Sequence, residues 1–114
     1  VQIAKEYADD ADTFSKKIYD VIGSGVGIIE SVPAAISIAY YTQDPNECCL
    51  MCANLGGDTD TIGAMATAIC GAFTGYSKIN PEYTELLRVQ NSETDFDEYI
   101  NILKKGRELA GCGR

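Results

Sequence analysis

The densest group of chemically useful side chains in this 114-residue chain lies in the run Gly-Gly-Asp-Thr-Asp-Thr that begins at Gly56. Asp58, Asp60 and Thr61 bring two carboxylates and a hydroxyl to the entrance of a largely apolar helical pattern. Hard divalent cations such as Mg²⁺ and Ca²⁺ take oxygen ligands of this kind. The run therefore predicts a metal site, and its plainest alternative is an aspartate that caps a helix and does nothing else.

Three other motifs share part of this run, and the surrounding residues do not fit any of them. An EF-hand loop that started at Asp58 would need oxygen-bearing residues where the chain has Ile62 and Ile69. A phosphotransferase nucleophile of the Asp-x-Asp-x-Thr type would need a buried apolar strand before it, but residues 54–57 are Asn-Leu-Gly-Gly. The Asp-x-Asp triplet of sugar-nucleotide transferases is a short match that normally ends a strand of an α/β fold.

A second unusual segment has three glycines in the five residues from Gly23 to Gly27. Glycines at this density favour a loop with unusual backbone angles and end the helical pattern before it. Such a loop lets backbone N–H groups approach a ligand closely. Its plain alternative is a connector between two helices.

Apolar residues recur at helical spacing around both segments, and no convincing strand alternation is present. The pattern predicts helices over residues 2–22, 31–40, 45–54, 60–73, 80–87 and 94–103. Pro33 is expected in the first turn of the second helix, and Asp44 is expected to cap the third. Small residues along the fourth helix suit a central position. We therefore predict an all-α fold, an orthogonal multi-helix bundle, as a single domain over residues 1–114.

Composition excludes several classes of function. Seventeen acidic against nine basic residues give a net charge of −8, which argues against nucleic acid as a partner. No apolar run approaches the roughly 20 residues of a membrane span and no signal peptide is evident, so we expect no membrane partner and a cytoplasmic location. The absence of histidine rules out histidine-based triads, histidine zinc ligands and histidine general bases within this chain.

Cys49 and Cys52 form a Cys-x-x-Cys motif inside a predicted helix. This position favours buried reduced thiols over a zinc site or a redox-active pair.

The run from Asn54 to Gly75, NLGGDTDTIGAMATAICGAFTG, closely resembles the second metal-binding motif of the ADP-ribosylglycohydrolase family. Upstream, the run from Gly23 to Ala35, GSGVGIIESVPAA, resembles the glycine loop and following helix of the same family. The order and separation of the two motifs also agree, and the resemblance covers about residues 22–81. Two matched motifs make this resemblance specific.

The resemblance implies an all-α hydrolase that binds two divalent ions, Mg²⁺ or Mn²⁺. It implies that Asp58, Asp60 and Thr61 are metal ligands, with Asp60 the catalytic ligand most central to both ions. The expected reaction removes ADP-ribose from a modified protein or an ADP-ribose-containing small molecule. The linkage that is cleaved stays open, as does the choice between the two metals.

The family's glycine loop lies along ADP-ribose, so the resemblance also implies substrate contacts at Gly25, Val26 and Gly27. The family's N-terminal Thr-Asp-Asp motif does not precede this loop, because Asp9-Asp10 follows an alanine and is expected on the solvated face of a helix. We therefore expect a C-terminal portion that needs the N-terminal half of the same protein as its partner. A non-catalytic relative that binds ADP-ribose is the alternative.

Overall fold

The structure is a computed structural model that describes residues 2–7 and 9–111. These residues form helices joined by short turns and contain no strand, which confirms the all-α prediction. They fall into two compact units, one within residues 1–80 and one within residues 81–114. The extent of a single domain over the whole chain stays a prediction.

The first unit holds both chemically interesting segments. Its elements are α1 (Gln2–Glu6), α2 (Ala11–Lys17) with a π-helical turn (Ile18–Ile22), α3 (Ile28–Thr42), α4 (Pro45–Leu55), α5 (Thr59–Thr74) and a 3₁₀ turn (Tyr76–Lys78). The second unit consists of α6 (Pro81–Gln90) and α7 (Phe96–Leu109). Within it, Asp95 caps α7 and Arg88 forms an ion pair of 3.0 Å with Asp97.

Helix α5 packs against both α3 and α4, as expected for a central helix. Its small residues allow this approach, because a Cβ added at Gly63 would lie 3.4 Å from the Cβ of Cys52 on α4. The core also includes the ring of Phe14, which stacks on Tyr41 with centroids 4.0 Å apart. The largest fully buried side chains are Phe14, Ile18, Ile38, Ile62, Cys48, Cys52 and Cys70.

The predicted first helix over residues 2–22 is wrong as one continuous element. The chain leaves α1 after Glu6 and starts again at Ala11. Asp10 causes the restart, because its carboxylate accepts hydrogen bonds from the N–H of Thr13 at 2.9 Å and from the Thr13 hydroxyl. Asp10 is exposed, as expected, but it caps a helix instead of lying within one.

The second helix starts three residues earlier than predicted, at Ile28, so Pro33 lies in its second turn. The earlier start follows from Gly27, whose carbonyl accepts hydrogen bonds from the N–H groups of Glu30 and Ser31, both at 2.9 Å. The third helix starts at Pro45 as predicted. Its cap is the predicted one, since the Asp44 carboxylate accepts hydrogen bonds from the N–H groups of Asn46 and Glu47, at 2.8 and 3.0 Å.

The remaining predictions differ mainly in detail. Helix α5 extends the predicted fourth helix by one residue at each end, and α6 and α7 run on to Gln90 and Leu109. The expectation of buried thiols holds for Cys52 but is wrong for Cys49, which is exposed. The fifth cysteine, Cys112, lies outside the described residues.

Candidate functional site

The candidate metal motif occupies the turn between α4 and the start of α5. Gly56 and Gly57 have positive φ values of 85° and 76°, a conformation that residues with a Cβ rarely adopt. Asp58 follows at the N-cap position of α5, and Asp60 and Thr61 lie in the first turn of that helix. The three predicted ligands therefore lie together, with Asp58 half-buried and the other two exposed.

Asp58 holds the N-cap position without making the hydrogen bond that defines a capping side chain. No side-chain cap bond joins Asp58 to α5. By contrast, the carboxylates of Asp10, Asp44 and Asp95 each accept a hydrogen bond from the backbone of the helix they cap. The chain thus supplies three internal examples of a capping aspartate, and Asp58 does not behave like them. Capping alone does not account for this side chain.

The side chains of Asp58 and Asp60 interact with each other. This contact is the main reason why the pKa of Asp60 is lowered, and the backbone N–H of Thr61 lowers it further. Two carboxylates this close repel each other unless a proton or a cation lies between them. The pair therefore has the chemistry of a site that gains from a bound cation, and all three side chains offer the oxygen atoms that Mg²⁺ and Mn²⁺ prefer.

Within residues 2–7 and 9–111, no group of three or more Cys, Asp or Glu side chains is arranged to hold a metal ion. The motif therefore provides two carboxylates and one hydroxyl, which is less than the ligand set that a hard divalent cation takes up. A cavity of about 320 Å³ lies beside Asp60, between α4 and α5, with Cys49, Gly63 and Thr67 in its wall. The residues present fit part of a metal site that opens to solvent.

The glycine loop contacts the metal motif directly through the backbone. The N–H of Asp58 donates a hydrogen bond of 2.6 Å to the carbonyl of Ser24, whose side chain is buried. A Cβ added at Gly57 would overlap the carbonyl and hydroxyl oxygens of Ser24. The fold thus brings together two segments more than thirty residues apart, and it needs glycine at position 57 to do so.

The three predicted substrate contacts differ in how available they are. The N–H of Gly25 already donates a hydrogen bond of 2.8 Å to Oε2 of Glu30. The Val26 side chain is 84% exposed, and a Cβ added at Gly27 would have only the Ile29 side chain, at 4.0 Å, within reach. Open space for a ligand therefore lies at Val26 and Gly27, whereas the Gly25 amide is occupied from within.

Two residues of this site, Ser24 and Glu30, did not stand out in the sequence. Glu30 had a usable signal, because an acidic residue in the first turn of a helix often reaches back to a free backbone amide before that helix. Ser24 had none, since its contribution is a main-chain carbonyl whose partner is far away in the sequence. Only the packing of the two loops shows its part.

The buried thiols have a structural explanation. Burial raises the pKa of Cys70, and the hydrogen bond to Cys52 together with burial raises the pKa of Cys48. The Cys70 sulfur also lies 3.6 Å from the Thr42 hydroxyl, on the side of α3. Thiols with raised pKa values form few thiolates and react slowly. These cysteines serve as small core residues between α3, α4 and α5.

None of the helices formed by the described residues is both long and apolar enough to cross a membrane.

Comparison with curated proteins finds several relatives of this chain. The chain is 50% identical over 102 residues to the uncharacterized protein YegU of Escherichia coli (strain K12), which covers 89% of the chain and 30% of that protein. It is 32% identical over 101 residues to ADP-ribosylhydrolase ARH3 of Homo sapiens, with 79% of the chain and 28% of that protein covered. ADP-ribosylarginine hydrolase Tri1 of Serratia proteamaculans (strain 568) is 30% identical over 91 residues, covering 80% of the chain and 25% of that protein.

The chain spans 30% or less of the length of each of these three relatives. The comparison with solved structures found no match. A model of the ADP-ribosylglycohydrolase family matches residues 1–111, which includes the glycine loop, the metal motif and all described helices. The chain therefore belongs to the ADP-ribosylglycohydrolase family.

Proposed function

We propose that the protein carrying this chain is a hydrolase that releases ADP-ribose from a modified protein side chain or a small acceptor. We further propose that the chain contributes Asp58, Asp60 and Thr61 to a binuclear Mg²⁺ or Mn²⁺ centre. The observation that carries the proposal is the Asp58 carboxylate, which stands at the N-cap of α5 without a side-chain cap hydrogen bond and interacts with Asp60 in the first turn of the same helix. Membership of the family, and relatives named as hydrolases of ADP-ribosyl groups, support it.

The bound ions would supply Lewis acidity toward ribose hydroxyls and a water of lowered pKa. The pKa of Asp60 is lowered, so its carboxylate, like that of an ordinary aspartate, is ionised at neutral pH and can act as a ligand without first losing a proton. Thr61 lies one residue further along the first turn of α5 and adds an exposed hydroxyl to the pair of carboxylates. Asp60 is the ligand that we place most centrally.

The glycine loop has two tasks in this proposal. Its Ser24 carbonyl accepts the 2.6 Å hydrogen bond from the Asp58 N–H, which fixes the position of the Asp58 backbone. Its exposed part at Val26 and Gly27 would lie along the ADP-ribose. The rest of the metal shell and the base that activates water would come from the N-terminal half of the same protein. We accordingly expect the 114-residue chain alone to bind metal weakly and to turn over little substrate. We also propose a cytoplasmic location for the protein.

The test is ADP-ribose release by the full polypeptide, measured on arginine-linked and serine-linked ADP-ribose with and without added Mg²⁺ or Mn²⁺. Asp60→Asn should lower activity on the order of 100-fold or more, because an amide is a much poorer ligand than a carboxylate for a hard cation. Asp12→Asn is the matched control, since Asp12 is also exposed and holds the corresponding first-turn position of α2. It should leave activity within about twofold of the parent protein, as surface substitutions usually do.

Full activity in Asp60→Asn would refute the proposed role of the motif. A parent protein that binds ADP-ribose but releases none from any substrate would favour the non-catalytic relative. Isothermal titration with Mn²⁺ separates these cases, because it reports the metal centre whether or not turnover occurs.

A further inference from the structure

We propose that Glu30 is a positioning residue for the metal motif, and that it acts through the glycine loop without touching metal or substrate. The proposal has a structural part, which states that Glu30 fixes the position of the Asp58 backbone through the glycine loop. Its functional part, an effect on metal and ADP-ribose binding, rests on the proposed function. The two parts are tested separately below.

The Glu30 carboxylate occupies the inside of the glycine loop. Oε2 accepts the hydrogen bond from the Gly25 N–H at 2.8 Å, and this contact is partly buried. A Cβ added at Gly23 would lie 2.5 Å from the same oxygen, and one added at Gly25 would lie 2.7 Å from it. Two of the three loop glycines are therefore the residues that leave room for this carboxylate, so the loop is shaped around Glu30.

The loop passes this constraint on to Asp58. Ser24 lies between Gly23 and Gly25, and its carbonyl, part of the peptide group that ends in the Gly25 N–H, accepts the hydrogen bond from Asp58. A peptide group is rigid and planar, so a carboxylate that holds its N–H also sets the direction of its C=O. Glu30 and Asp58 thus bind opposite ends of one peptide unit, Glu30 as acceptor and Asp58 as donor.

Helix capping alone does not explain this arrangement. In a capping box, an acidic residue at the third helical position reaches back to the amide of the N-cap residue. Glu30 holds that position in α3, but it reaches two residues beyond the N-cap Gly27, to Gly25. Glu47 holds the same position in α4, where its side chain is exposed and Asp44 provides the cap. Glu47 is therefore a matched residue that lacks the contact to a loop.

The structural part is tested by hydrogen–deuterium exchange at the Asp58 amide in the 114-residue chain. Glu30→Ala should speed exchange at this amide about tenfold, the effect of losing one charge-assisted hydrogen bond. Glu30→Gln keeps an acceptor oxygen at the same place and should stay within about threefold of the parent chain, and so should Glu47→Ala. The measurement requires neither metal nor ADP-ribose.

Gly25→Ala gives an independent test of the same contact. The three atoms nearest to an added Cβ are those of the Glu30 carboxylate, which lies at the end of a flexible side chain and can be pushed away. Gly25→Ala alone should therefore speed Asp58 exchange about as much as Glu30→Ala. In the double variant the two effects should not add, because the alanine then has nothing to displace.

The functional part is tested in the full polypeptide by titrating Mn²⁺ and ADP-ribose and by measuring kcat and KM. Glu30→Ala should weaken Mn²⁺ binding five- to tenfold, Glu30→Gln should restore it, and Glu47→Ala should change nothing. Melting curves of all three proteins show whether a general loss of stability contributes to the weaker Mn²⁺ binding.

An Asp58 amide whose exchange is unchanged in Glu30→Ala overturns the proposal, whatever happens to activity. So does tighter ADP-ribose binding with unchanged exchange, which would mean that Glu30 merely competes for the Gly25 amide. A parent protein that binds no Mn²⁺ refutes the proposed function. It does not refute the structural part, which hydrogen–deuterium exchange at the Asp58 amide decides. If Glu30→Ala does not fold, Gly25→Ala and Glu30→Gln decide the question in its place.

Discussion

Replacing Gly57 by alanine tests the contact between the glycine loop and the metal motif. Position 57 has a φ of 76°, which costs a residue with a Cβ about 1–2 kcal/mol. The added Cβ would also overlap the backbone carbonyl of Ser24, so one of the two loops must move. That movement breaks the hydrogen bond from Asp58 to Ser24, for about another 1 kcal/mol. We expect Gly57→Ala to lower the free energy of unfolding by about 2–4 kcal/mol.

The assay is urea unfolding followed by circular dichroism, combined with hydrogen–deuterium exchange at the Asp58 amide. Gly75→Ala is the control, because Gly75 also has a positive φ, 88°, but an added Cβ would have no atom within 4 Å. Gly75→Ala should lower the free energy of unfolding through backbone strain alone and leave the Asp58 amide protected from exchange. In Gly57→Ala that amide should lose its protection, and in the full polypeptide Mn²⁺ binding should weaken with it.

A Gly57→Ala protein within 0.5 kcal/mol of the parent, or one with a fully protected Asp58 amide, would refute this reasoning. It would mean that the two loops do not touch as described, and that the metal motif keeps its place without the glycine loop.

Three further predictions concern packing, thiol reactivity and pH. Ile62→Ala, at a fully buried position of α5, should lower the free energy of unfolding by about 3 kcal/mol in urea unfolding, and a loss below 1 kcal/mol would contradict the described core. In a Cys112→Ser background, Cys49 should react quickly with a thiol reagent while the three buried thiols react only on unfolding; rapid labelling of a second thiol would count against their burial. The pKa of Asp44 is lowered, chiefly by the N–H of Glu47, so its stabilising effect is complete above about pH 4 and is lost as the pH falls through the lower folded-state value. Asp44→Asn should therefore flatten the acid side of the stability curve, and an unchanged acid limb would speak against the cap.

The elements that could be predicted best were those whose signals lie in neighbouring residues. Asp44 followed by Pro45 marked the start of α4 correctly, since a cap and a proline act on the backbone beside them. The error at residues 2–22 came from the same kind of signal. Its apolar spacing favoured one helix, but the local hydrogen bonds that Thr13 donates to Asp10 outweighed that spacing and started a new helix at Ala11.

In the candidate site, too, some features follow from neighbouring residues and others from the packing of distant ones. The sequence by itself determined which residues could offer oxygen ligands to a metal, because Asp58, Asp60 and Thr61 follow each other within four positions whatever the rest of the chain does. Their resemblance to a known motif also determined the family, which the match over residues 1–111 then confirmed. These conclusions depend on residue types and short spacings.

Only the tertiary structure decided how those residues are used. It showed that Asp58 does not cap α5, that its N–H is held by Ser24, and that Glu30 fills the loop which provides that carbonyl. Each of these facts depends on main-chain groups that every residue possesses and on which loop lies against which. Residue identity does not encode such contacts locally; the packing of α3, α4 and α5 brings the two loops together and creates them.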